Sequence, residues 1–74
     1  MLIRAEDGSI INMDHVDRIV KSVPAGSPHD CKVTADFSGP HETRVLAAGK
    51  TEEEAEAIMQ RIMFHTEGNL DLTA

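Results

Sequence analysis

A chain of 74 residues has room for one domain, since at this size the buried apolar surface only just offsets the entropy of ordering the backbone. With 41% apolar and 27% charged residues, it sits in the globular range and is too apolar to be disordered throughout. The net charge of -6 is lopsided: residues 1–50 carry seven acids against six bases, whereas residues 51–74 carry six acids against Arg61 alone, so the clustered Lys and Arg that nucleic acid binding needs are missing.

Met1 to Asn12 predicts a hairpin, with Leu2-Ile3-Arg4-Ala5 and Ser9-Ile10-Ile11-Asn12 flanking Asp7-Gly8, a pair suited to the positive φ angles of a tight turn. Asn12-Met13-Asp14-His15 reads as a corner, because Asn and Asp bond their own backbone. Val16 to Val23 would also suit a turn of helix, but its valines and the stop at Pro24 favour a strand. Pro24 to Asp30 is the longest loop.

Cys31 to Phe37 alternates without a fault, setting Cys31, Val33, Ala35 and Phe37 on one face of a strand and Lys32, Thr34 and Asp36 on the other. Ser38 to His41 turns the chain, and Glu42 to Ala48 returns as a strand ending at Gly49. Thr51-Glu52-Glu53-Glu54 is a capping box before an apolar run at helical spacing. The helix is expected to reach about Thr66, with Gly68 as its left-handed stop. At about 100° per residue, Ala55, Ile58, Met59, Ile62 and Thr66 share the face that packs on the sheet. The predicted fold is α+β, an antiparallel β-meander of four to five short strands with one C-terminal amphipathic helix on one face. Residues 1–68 form this single domain and residues 69–74 a C-terminal tail.

Phe64 falls nearly opposite Ile62, beside Glu53, Ala57 and Gln60, where an isolated domain exposes it. Three outcomes stay open: the tail Asn69-Leu70-Asp71-Leu72 folds over it, another chain does, or it is simply exposed, as single apolar residues often are. Met63, at the margin of the core face, would extend such a contact. With only two aromatics, Phe37 and Phe64, the core must be aliphatic and methionine-rich, and so small a core makes self-association a source of extra burial.

His15, His29, His41 and His65 are the groups from which an enzyme or metal reading would start. Asp14-His15 with Asp17, and His29-Asp30-Cys31, bring metal-capable atoms close in sequence, but neither has the paired spacing of a zinc site. Cys31 near His29 could be an activated thiol, yet alternation places it on the apolar face, where free cysteine is structural. The five glycines all fall at turns or helix ends, which leaves no phosphate-cradling loop. The expectation is therefore no cofactor, no metal and no catalysis. A lone thiol makes no internal disulfide, Glu6 and Asp7 interrupt any N-terminal signal, and no run nears the roughly 18 apolar residues of a membrane span. A soluble, cytoplasmic protein is expected, without membrane contact.

The layout of Ile3, Gly8, Ile11-Asn12, Asp14, Val16 and Ile19, followed by the Phe37-Ser38-Gly39 turn and the Thr51-Glu-Glu-Glu-Ala helix ending Met59 to Ile62, resembles small uncharacterised bacterial and phage-borne proteins. These have a β-meander and one helix, somewhat like a reduced pleckstrin-homology sheet. The resemblance rests on packing and turn residues, so it implies a fold and transfers no catalytic or binding residue. The leading functional expectation is a non-catalytic protein-interaction module, homodimeric through Met63, Phe64 and the sheet edge. A second is an acidic, mobile-element-encoded inhibitor whose Glu53, Glu54, Glu56 and Glu67 meet basic residues on a host protein's nucleic-acid-binding surface. A solvated helix face explains the same glutamates. A third, a small metal- or thiol-dependent enzyme, would need His15, Asp17 and Cys31 to converge in a cleft.

Overall fold

A computed structural model describes residues 1–38, 42–65 and 68–73. Among the described residues the expected α+β architecture is present, as six strands in two sheets where four to five in one meander were expected, with one 3-10 turn and one helix. Strands β1 (Leu2–Arg4) and β2 (Ile10–Asn12) pair antiparallel, Ile3 opposite Ile11, around the predicted Asp7-Gly8 turn. Gly8 has φ 92 there, and the Asp7 carboxylate accepts from the Ser9 backbone N–H at 2.9 Å. The corner is a 3-10 turn at Met13–His15, capped by the Asn12 side chain, which accepts from Asp14 N–H at 3.0 Å.

The meander proper is β3 (Val16–Ser22), β4 (Cys31–Phe37) and β5 (Thr43–Lys50), with β4 in the middle. Alternation along β4 buries Cys31, Val33 and Ala35, as the sequence pattern requires. The predicted turn residues Gly39, Pro40 and His41 lie outside the described residues. Beside them the backbone N–H of Phe37 donates to the Glu42 carbonyl at 2.8 Å.

Strand β5 does not stop at Gly49 as expected. It runs on to Lys50, because Gly49 takes φ 66 in a register shift that sets Lys50 opposite Cys31 while Ala47 faces Val33. An extra residue accommodated by a left-handed glycine is a β-bulge, which bends a strand without ending it. A second shift, between Val33 and Thr34, leaves Leu46 and Ala47 both buried.

Helix α1 (Glu52–Met63) begins at the predicted capping box: Glu54 N–H donates to Thr51 Oγ1 at 3.2 Å, and Thr51 N–H donates to Glu54 Oε1 at 2.9 Å. Ala55 and Ile58 are buried and Met59 and Ile62 half-buried against the meander, the expected face; Thr66 lies outside the described residues. The helix closes earlier than predicted. Phe64 is its C-cap, with ψ 4, and its N–H donates to the Gln60 carbonyl at 2.9 Å. Gly68 does take a left-handed φ of 69, but beyond the helix, where the chain turns into its last strand.

That strand, β6 (Leu70–Asp71), arises from the segment read as a tail. It lies parallel to β1, Ile3 opposite Leu70, and completes a small sheet of order β2-β1-β6. Leu72 N–H donates to the Arg4 carbonyl at 2.9 Å, and Leu70 and Leu72 are buried. The two sheets share one core, in which Ile3 from the small sheet and Val33 and Leu46 from the meander are fully buried. Each such side chain stabilises the fold by about 1.5–3 kcal/mol. A backbone bond from Glu6 N–H to the Leu46 carbonyl, 2.9 Å, joins the small sheet to β5.

Candidate functional site

Helix α1 has two flanks along the meander. The flank over β3 is fixed by Lys21, whose Nζ lies 3.0 Å from Glu56 Oε2 and 3.7 Å from Glu52 Oε1. The opposite flank borders β5 and the C-terminal strand, where Arg61 donates to the Asp71 carbonyl at 3.3 Å and Lys50 pairs with Glu6 at 2.6 Å. Glu52, Glu56 and Met63 fall within about 40° of each other around the helix axis, so Met63 belongs to the flank over β3.

An open groove of about 470 Å³ extends from Lys21 onto the outer face of the helix, lined by Lys21, Glu52, Glu53, Glu56, Ala57 and Gln60. Two of the four residues expected to meet a partner, Glu53 and Glu56, line it. The other two lie at the end of the helix. Met63 is 67% exposed and Phe64 72%, the two most exposed of the large apolar side chains described. The C-terminal segment, one of the candidates to cover Phe64, is instead hydrogen-bonded to β1.

The electrostatics of the helix are mostly settled within the fold. The Glu54 carboxyl is held below its ordinary value by the Thr51 backbone N–H and hydroxyl, and Glu56 is lowered by Lys21. Lys21 is raised in return, first by its hydrogen bond to Glu56. Among the described residues Glu53 makes no ion pair, and Glu67 lies outside them. On the other face of the meander, Arg18 donates to Asp36 at 2.7 Å and Thr43 to Asp36 at 3.0 Å, a link across all three strands that lowers Asp36.

The residues of the enzyme reading are not brought together. His15 is exposed in the 3-10 turn and Asp17 at the start of β3, next to the Val16 position that faces Phe37. Cys31 begins β4 at its other end, six residues and about 20 Å away. Its thiol is fully buried and donates to the Pro28 carbonyl at 3.5 Å. His29 is exposed in the loop before β4, and His41 lies outside the described residues. Among the described residues no three His, Cys, Asp or Glu side chains are grouped to hold a metal ion, and no helix is long and apolar enough to cross a membrane.

Sequence reasoning missed Lys21, and it named a sheet edge without saying that the free one belongs to β3. Lys21 had a signal: in a strand it falls two residues from Ile19, on the same face, which turns it towards the helix. The free edge had none, since strand order is a property of the assembled sheet. Comparison with protein families, curated proteins and solved structures found no match for this chain.

Proposed function

We propose that this protein is a non-catalytic interaction module that forms a homodimer through the exposed end and β3-side flank of helix α1. The observation that carries it is the adjacent pair Met63 and Phe64, the most exposed large apolar side chains described, left uncovered while the nearby C-terminal segment is engaged elsewhere. Scattered apolar residues are ordinary on a surface, but neighbouring ones beside a groove are the usual material of a binding site. The acidic-inhibitor reading has less support. Glu54 is engaged in the cap and Glu52 and Glu56 face Lys21, so much of the helix's negative charge is answered internally.

Light scattering across a concentration series tests the proposal with wild type and Phe64→Asp. The wild type is expected to reach twice the chain mass and the variant to stay at one. A wild type that remains monomeric counts against it.

A further inference from the structure

Strand β3 is hydrogen-bonded to β4 on one side and to no described strand on the other. Among the described residues it is the longest edge left without such a tie. The opposite edge of the meander, β5, is joined to the small sheet through Glu6 and Leu46, and β2 and β6 are only three and two residues long. An unpaired edge invites another strand, and β3 pairs regularly with β4 from Arg18 to Ser22, after a register shift between Val16 and Arg18 that leaves Asp17 as an extra residue. Its surroundings mix apolar and charged groups: Ile19 and Val20 are half-buried, Val23 just beyond is exposed and Met63 projects from the helix flank above, while Lys21 pairs with Glu52 and Glu56 of its own helix.

We infer that the occupant is a second copy of β3, added antiparallel about a two-fold axis at Ile19, which joins two meanders into one six-stranded sheet. The inference rests on the homodimer proposed above and gives it a geometry. Charge selects both partner and register. Read along the strand, Asp17-Arg18-Ile19-Val20-Lys21 is acidic at one end and basic at the other. An antiparallel copy centred on Ile19 opposes Asp17 with the partner's Lys21, twice, and Ile19 with its own counterpart. A parallel copy in register would set Asp17 on Asp17 and Lys21 on Lys21, which repel.

The helices accommodate this arrangement. Each lies across its own meander, with β4 in the centre, and two β4 strands in the joined sheet are three strand spacings apart, about 14 Å. Directly packed helices sit 8–10 Å apart, so about 4–6 Å remains for side chains between them. The flank over β3 supplies long ones: Glu56, Gln60 and Met63. The two helices run antiparallel across the axis, which keeps their glutamate-rich first turns apart.

The test uses charge reversal and mixing. Asp17 is exposed and makes no ion pair with a described residue, so Asp17→Lys should leave the fold intact while opposing two lysines across the axis. Lys21→Glu opposes acid with acid. Each variant alone is expected to raise the dimer dissociation constant about tenfold or more in sedimentation equilibrium, from two like-charge contacts per dimer. An equimolar mixture should recover dimers, because the lysine introduced in one chain then meets the glutamate introduced in the other, while the remaining native pair, Lys21 and Asp17, meets as in the wild type. Far-UV circular dichroism checks folding, and Asp17→Lys decides alone if Lys21→Glu does not fold. Asp17→Lys dimerising like wild type overturns the edge pairing, as does a mixture of folded variants that stays monomeric. If Phe64→Asp abolishes the dimer while Asp17→Lys does not, the helix-end contact stands and the edge inference fails. A monomeric wild type overturns both.

Discussion

Two side chains carry the argument at the smallest scale. Thr51 closes two of the backbone donors that a helix start leaves open, one through its hydroxyl and one by positioning Glu54 to reach back. Thr51→Ala is expected to destabilise the protein by about 1 kcal/mol, read as a lower urea midpoint at unchanged slope. Phe64 is the contrast, since it caps the helix through its backbone and its ring is 72% exposed. Phe64→Asp should therefore change stability by no more than about 0.5 kcal/mol while removing self-association. A large loss of stability at unchanged mass would show that the ring serves the fold instead.

Among the elements, the helix start and β4 were legible because their signals are local. A capping box and a perfect alternation need nothing outside the segment, and both appear where the residues place them. The β1–β2 hairpin was legible for the same reason, through Asp7-Gly8. What was not legible depends on distant pairing. Leu70-Asp71 is too short to read as a strand, and becomes one because β1 offers an edge and the core a place for Leu70 and Leu72. Gly49 looked like a stop, since a glycine at a bulge and a glycine at a turn share one sequence signature. Of the four expected contact residues, Met63 and Phe64 could be placed by helical spacing alone, but the side of the meander that Glu56 faces required knowing where Lys21 lies. The C-terminal segment, β6 with Leu72 just after it, yields a prediction of its own. Leu72→Ala removes a buried side chain and should cost about 2–5 kcal/mol in denaturant unfolding. A negligible loss would mean that the C-terminal strand adds little to the core.

Over the whole molecule, the radius of gyration of 11.9 Å is close to the roughly 11 Å expected of a single domain of this length. The shared core is aliphatic and small, and exposed ion pairs surround it. Their pH dependence has a definite sign. Asp36, Glu54, Glu56 and Asp71 are held below their ordinary values of 3.8 or 4.5 in the fold, so their contribution is present above those values and is lost as pH falls through the depressed folded ones. Lys21 and Lys50 are raised above 10.5, so theirs is present below that value and is lost as pH rises through the raised folded ones. These groups together predict a urea midpoint that declines below pH 4.5 and again above pH 10.5. None of these groups is fully buried, so the declines should be shallow and weaker still in high salt.

In the proposed dimer the helix flank and end form a surface for a second copy of the chain. Sedimentation equilibrium of the wild type, from about 1 μM to about 1 mM, addresses it most directly, a span that covers weak to moderate affinities. The predicted result is a reversible rise from one chain mass to two, with no larger species. A single chain mass throughout that range would contradict it.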